Sequence, residues 1–309
     1  MMHIVRKLTT RPVWWWERKR TYGIRSRYDL LPPLPVKDGR VRFAVLTTPE
    51  TLGDALWSSW SWYRFLRDED CGLHIAVDGR ISEAEVAATR QLFPGVSIDS
   101  PRWACRYVCA REPALETFLN NHPLGRKVAL ILALSDRGPV IYSDYDVIAF
   151  SRPHELLASI GRKSPCYFAE EQDGARDLRI VERAKQLGLN YLPNFNSGFL
   201  YIPHGALSME LAAQIVAAWR PPGESWYSEQ TVLSIMLQAL RAERLPSIRY
   251  VISICRQFYW EKDVDYTKIA ARHFTGPVRH VMYKYGMPII LRQSKDYLCG
   301  KRADVKEAV

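Results

Sequence analysis

The strongest constraint in this sequence is an alternation of strand and helix signals that begins at Val41. Val41-Arg42-Phe43-Ala44-Val45-Leu46 is rich in β formers and runs into Thr47-Thr48-Pro49, a strand followed by a loop. Residues 53–67 then place Leu56, Trp60 and Tyr63 on one helical face. Leu73 to Val77 reads as a second apolar strand and stops at Asp78-Gly79. Ser82-Glu83-Ala84-Glu85 opens a helix to Phe93, ended by Pro94-Gly95, and Val96-Ser97-Ile98 is a short third strand. This order predicts an α/β fold, a mostly parallel sheet flanked by helices.

Further along, Lys127–Leu134 reads as a buried helix closed by Gly138, and Pro139–Tyr142 as a strand that Val147–Phe150 continues. Residues 154–160, 176–187, 206–219 and 228–241 carry helical patterns, and Phe199–Ile202 and Val251–Cys255 read as strands. With 309 residues, 47% of them hydrophobic, the chain can bury a sizeable core. No apolar run reaches the ~18 residues of a membrane span. The first twenty residues hold Arg6, Lys7, Arg11, Arg18, Lys19 and Arg20 but no apolar stretch of signal-peptide length. Six cysteines without paired spacing, Cys105 and Cys109 being the nearest pair, fit reduced thiols in a cytoplasmic protein.

Two carboxylates one residue apart in extended chain point the same way and can meet one divalent cation. The pattern occurs three times: Asp68 with Asp70, Asp144 with Asp146, and Asp263 with Asp265. The first sits in an acidic turn and the third in a polar stretch, so both read as solvated charge. Only the middle pair directly ends a fully apolar strand. In open α/β sheets the ligand crevice lies at the carboxyl ends of the strands, and a charge placed there needs a partner. Asp144 and Asp146 are therefore the candidate metal ligands.

From these residues the chain resembles the GT-A glycosyltransferases over roughly residues 41–284. It is most similar to the retaining branch that holds glycogenin and the bacterial lipopolysaccharide galactosyl- and glucosyltransferases. Phe43–Leu46 with Thr47-Thr48 resembles the family's first strand and uridine loop, and Gly53-Asp54-Ala55-Leu56 with Ser59 its next helix start. Lys127 resembles the lysine that faces the donor, and Tyr142-Ser143-Asp144-Tyr145-Asp146 the family metal motif. Phe195-Asn196-Ser197-Gly198 resembles the turn whose amide faces the sugar. Glu229-Gln230 stands where the family has aspartate-glutamine. Arg272-His273-Phe274-Thr275-Gly276 resembles the late motif whose histidine is the third metal ligand. Arg279 falls on a lysine that contacts the diphosphate, and the family's lysine-proline-tryptophan ending is Arg279-His280-Val281 here.

The resemblance implies transfer of a sugar, with retention, from a nucleotide-sugar, UDP-linked, to a glycan or lipid-linked acceptor. It implies a metal set of Asp144, Asp146 and His273. Oxygen ligands with one imidazole suit Mn2+, or Mg2+. Donor contacts fall to Thr47, Thr48, Lys127, Asp144, Gly276 and Arg279, a guanidinium being matched to phosphate oxygens. Asn196 and Gln230 would orient sugar hydroxyls, and Glu229 would support positive charge on the ring or act as base. Each also has a plain reading: a packed histidine, a turn at 196–198, a first-turn acid at Glu229, a surface Lys127, strand-end filler at Thr47.

The charge is uneven. Residues 1–40 hold ten basic and three acidic residues, net +7 of the total +10, together with Trp14-Trp15-Trp16. This predicts a basic, Trp-rich arm over 1–40, a GT-A catalytic domain over 41–290 and a tail over 291–309. The arm either folds its tryptophans back onto the body or makes a peripheral contact with the inner face of a membrane. A nearly neutral body offers no phosphate-tracking face, which argues against nucleic acid. Two rival functions remain. A sugar-phosphate nucleotidyltransferase needs a glycine-rich loop after the first strand, and Thr47-Thr48-Pro49-Glu50-Thr51 has no glycine. The other is a non-catalytic membrane- or polyanion-binding protein that kept the fold.

Overall fold

Alternating side chains decide where each strand sits. In the computed structural model, which describes residues 21–169, 176–220, 227–252 and 264–298, the strands in chain order are as follows. They are β1 (Val41–Thr47), β2 (Cys71–Val77), β3 (Ser97–Asp99), β4 (Val140–Asp144), β5 (Val147–Ala149), β6 (Cys166–Ala169), β7 (Phe195–Ile202), β8 (Glu243–Arg244), β9 (Tyr250–Val251) and β10 (Ala271–His273). Phe43 and Val45 of β1 enter one core cluster and Ala44 enters another on the opposite face. β2 does the same with Leu73 and Ile75 against Ala76. Strands apolar on both faces belong inside a sheet covered by helices on both sides.

The large sheet has the order β3-β2-β1-β4-β7-β6-β8. β3, β2, β1 and β4 run parallel, β7 is antiparallel to both β4 and β6, and β8 is parallel to β6. A second sheet has the order β5-β10-β9. β5 therefore does not continue β4: the chain turns at Tyr145-Asp146 and hands Val147 to the small sheet, where it pairs with His273. The sequence pattern could not show this, because the residues on both sides of the turn are equally apolar.

The helix Leu52–Leu66 joins the two sheets. Trp57, Trp60, Trp62 and Tyr63 are fully buried, so nearly every face of this helix is covered, not only the predicted stripe. Trp62 stacks on Phe199 of β7 at 4.5 Å and its indole N–H donates to the Val147 carbonyl at 3.1 Å. Ser58 donates to the same carbonyl at 2.6 Å, and Ser61 accepts from the Ala149 N–H at 3.0 Å. Buried hydroxyls on a helix thus satisfy β5, the strand that follows the Asp144–Asp146 turn.

Other expectations are adjusted. The Asn196-Ser197-Gly198 segment is not a turn: it lies within β7, at a place where the β6–β7 register jumps between Leu200 and Asn196. Such a bulge re-aims side chains while pairing continues on either side. Arg102–Cys109 and Glu116–Asn121 form helices that the pattern did not reveal. The strand expected at Val251–Cys255 is described only as β9, since residues 253–263, Asp263 included, lie outside the described residues.

Regular structure begins before Val41. Tyr22–Leu30 is a 3-10 helix, and Leu31 and Leu34 are buried in the core. The indole of Trp60 donates to the Pro32 carbonyl at 2.8 Å, and the Leu34 N–H to the Leu92 carbonyl at 2.8 Å. The Trp14-Trp15-Trp16 run lies outside the described residues. At the other end one helix, Met287–Leu298, crosses residue 290, with Ser294 buried and Tyr297 edge-on to Trp60 at 6.0 Å. Among the described residues no helix is long and apolar enough to cross a membrane.

Candidate active site

The site forms where the two sheets meet, at the carboxyl ends of β1 and β4. Asp144 is the last residue of β4 and pairs in register with Leu46, next to Thr47. Asp146 follows in the turn, and His273 ends β10, drawn in by the antiparallel pairing of β10 with β5. One ligand atom each from Asp144, Asp146 and His273 lie within 4.8 Å of one another. The turn, not an extended chain, makes the two carboxylates converge.

The imidazole is oriented from behind. His273 Nδ1 lies 2.9 Å from the Asn196 side-chain oxygen, which only accepts, so Nδ1 carries the proton. Nε2 then faces the carboxylates, 3.1 Å from Asp146 and 4.0 Å from Asp144. An N–H-fixed ring presenting its other nitrogen beside two carboxylates is the donor set of a cation site. The residues present therefore fit a divalent metal. Asn196 Oδ1 also accepts from the Gly198 N–H at 2.9 Å, so it positions the ring rather than reaching outward. A Cβ on Gly198 would lie 2.3 Å from the His273 ring, which makes glycine necessary for this approach.

Around the group the charges are shared. Arg279 grips Asp146 Oδ2 through Nη2 at 2.7 Å and Nε at 3.1 Å. Burial would raise the Asp146 carboxyl, but its bonding partners His273 and Arg279 override it and hold it well below the usual carboxylate range. Lys127 is buried with its ammonium 3.0 Å from Asp144, 3.2 Å from Glu229 and donating to Ser197 at 3.1 Å. Burial opposes its charge, yet the two carboxylates outweigh that and keep it protonated. Glu229 shows the opposite balance: burial raises its carboxyl despite Lys127. Its contact with Lys127 is an ion pair without hydrogen-bond alignment, and its other oxygen accepts from the Ser197 hydroxyl at 3.2 Å.

Of the residues singled out in the sequence, Lys127, Asp144, Asp146, Asn196, Glu229, His273 and Arg279 are thus in one connected network. Gln230 joins it by accepting from the Ser197 N–H at 3.4 Å. Thr47 and Thr48 sit beside it but bond locally, both hydroxyls meeting Thr51, at 2.9 and 3.1 Å. Gly276 takes φ +42 with open space beside it, and Arg279 is on Asp146 rather than turned outward. Sequence reasoning assigned no role to Tyr142, Ser197 or Gly198. Tyr142 donates to Asp144 at 2.8 Å, and Ser197 links Lys127 to Glu229. Their presence inside the quoted motifs was the available signal.

No family model matches the sequence, and no curated protein matches it. Solved structures do. The galactosyltransferase LgtC, solved in complex with donor and acceptor sugar analogues, superposes with a TM-score of 0.52 at 16% identity, over 82% of this chain and 95% of that one. Mouse xyloside xylosyltransferase 1, in its apo form, gives a TM-score of 0.48 at 12% identity over 79% of this chain and 99% of that one, and adds no weight. At such identity the likeness is one of architecture, and with the mostly parallel sheet and the strand-end aspartates it shows that this chain has the GT-A nucleotide-diphospho-sugar transferase fold.

Proposed function

We propose that this chain is a metal-dependent glycosyltransferase that moves a sugar from a UDP-linked donor to a glycan or lipid-linked acceptor hydroxyl, with retention. The observation that carries the proposal is the convergence of Asp144, Asp146 and His273 at the carboxyl end of β4 in a GT-A fold. Mn2+ or Mg2+ bound there would act as a Lewis acid on the departing diphosphate. The transfer breaks the bond between the anomeric carbon and the β-phosphate oxygen and makes one to the acceptor oxygen, whose hydroxyl proton passes to the departing diphosphate. Arg279 would be the cation that reaches the diphosphate. Leaving Asp146 for the diphosphate would exchange a charge-assisted contact of two N–H groups on one oxygen for one with phosphate oxygens. Lys127 holds Asp144 and Glu229 at fixed separation, and Ser197 completes that brace. Glu229, buried and already partnered, would support positive charge on the sugar ring, and Gln230 and Asn196 would orient sugar hydroxyls beside it. Peripheral membrane contact through the arm over residues 1–40 belongs to the same proposal and rests on its charge and tryptophans alone.

The test is Mn2+-dependent turnover across a panel of nucleotide-sugars, with binding of UDP followed in parallel. Donor hydrolysis or transfer that is lost with chelator and regained with Mn2+ supports the reading. UDP binding that is indifferent to metal would sink it. Glu229→Gln keeps the shape and removes the charge, so kcat should fall by orders of magnitude with donor KM nearly constant.

A further inference from the structure

The segment Tyr22–Leu30 precedes the first strand of the sheet, yet it is tied to the site by buried charge. Arg25 donates through Nε to Asp54 Oδ1 at 3.1 Å, and the two side chains are 11% and 1% exposed. Asp54 lies in the first turn of the helix Leu52–Leu66, directly after the Thr48–Thr51 turn. Arg25 Nη2 donates to the Glu50 carbonyl of that turn. From the opposite side Tyr283 donates to Asp54 Oδ2 at 3.0 Å. Tyr283, four residues after Arg279, belongs to the single π turn Met282–Gly286. Tyr22 meets the Tyr283 ring edge-on at 5.6 Å and lies under the Arg25 guanidinium at 4.5 Å. The backbone is fitted to this contact: a Cβ on Gly53 would stand 2.7 Å from the Arg25 carbonyl.

A buried carboxylate held by an arginine and a tyrosine from two distant segments costs desolvation on every partner, and a packed apolar contact would serve stability as well. What the cluster adds is geometry. It joins the turn at the end of β1 to the helical segment that carries Arg279, and single π turns inside helices concentrate at functional sites. We propose that Arg25 and Asp54, with Tyr283, are positioning residues for the nucleoside diphosphate: they strap Tyr22–Leu30 across the Thr48–Thr51 turn and the root of Arg279, so that the nucleotide side of the site is complete only with this segment in place. The inference rests on the donor reading above.

The experiment is calorimetric binding of UDP in the presence of Mn2+ to the full chain and to Arg25→Met, Arg25→Lys and Tyr283→Phe, with thermal melts and, where a donor is turned over, the split between KM and kcat. Arg25→Met should weaken UDP about tenfold and raise donor KM in step, with kcat within about twofold, since small misplacements of binding groups can cost up to ~100-fold. Arg25→Lys should recover part of the loss. Tyr283→Phe removes one hydroxyl, keeps the ring packing and should weaken UDP about threefold, a smaller displacement of the same kind, so it reads the same quantity if Arg25→Met does not fold. Wild-type binding of UDP with unchanged affinity in both variants, whatever their melting points, overturns the strap and leaves the donor reading standing. Wild-type protein that ignores UDP and Mn2+ overturns the donor reading and the strap together.

Discussion

Both ends of the large sheet carry clustered charge, and they use it differently. Toward the amino ends Lys37, Arg40, Arg42 and Arg137 border a cleft of about 710 Å3, which His74 in β2 and Asp99 at the end of β3 line further along. There the arginines pair singly and in water: Arg40 with Asp70, and Arg42 with Asp38 at 3.4 Å, the Asp38 side chain being 95% exposed. At the carboxyl ends Lys127, Asp146, Glu229 and His273 are buried and each meets at least two charged or polar partners. Exposed pairs contribute ~0–1 kcal/mol, whereas removing one member of a buried set strands the others. Clustered charge alone therefore does not mark the site; burial with shared partners does.

The comparison breaks most visibly at Asp146. Asp146→Asn removes one of the proposed metal ligands and, on that proposal, should cut turnover by about three orders of magnitude, because a lost Lewis acid would forfeit several kcal/mol at ~1.4 kcal/mol per tenfold. The protein should still fold, since Arg279 is partly exposed and can turn to solvent. Near-normal activity in that variant, with chelator present, would remove the metal from the account.

Next comes Gly198→Ala. The added methyl must displace the His273 ring, so Mn2+ affinity read by electron paramagnetic resonance should fall by roughly 10–100-fold, the usual range for a disturbed outer partner of a ligand. An unchanged affinity would mean that His273 is packing and not a ligand.

A pH experiment sharpens the contrast without touching the ligands. Burial pushes the Asp54 carboxyl up to about 6, against the opposing pull of Arg25, Tyr283 and Arg279 and with a small push from Asp146. A raised carboxyl binds its proton more tightly folded than unfolded. Its contribution to stability is therefore present at low pH and lost as pH rises from the unfolded value near 4 through about 6, by roughly 3 kcal/mol. Urea titrations of wild type and Asp54→Asn should diverge across that window, the wild type losing relative stability upward. Parallel curves would show that Asp54 is not held in this way. The smallest effect belongs at the opposite end of the sheet, where Arg40→Gln or Arg42→Gln should change stability by less than about 0.5 kcal/mol. A larger loss there would erase the distinction drawn between the two ends.

Short-range pattern made a large part of this legible. The apolar runs of β1, β2 and β4, the capping box at Ser82 with Glu85, and the aspartates ending an apolar strand are all signals within a few residues of one another. They place the α/β class and the carboxyl-end site, because period and capping are properties of local backbone geometry. Asn196-Ser197-Gly198 misled as a turn for the same reason: its residues are turn formers, and the strand continues through them only because β4 and β6 pair on either side.

What the sequence by itself determined, then, is the order of elements and the residue types available at the strand ends. What only the tertiary structure decided is who meets whom. Lys127 stands between Asp144 and Glu229, Asn196 aims His273 across 77 residues of chain, and Arg25 reaches Asp54 from ahead of the first strand. These partnerships depend on sheet order, on the turn that passes Val147 to a second sheet, and on a bulge in β7. Such long-range register arises from packing the whole core at once, and no local period records it.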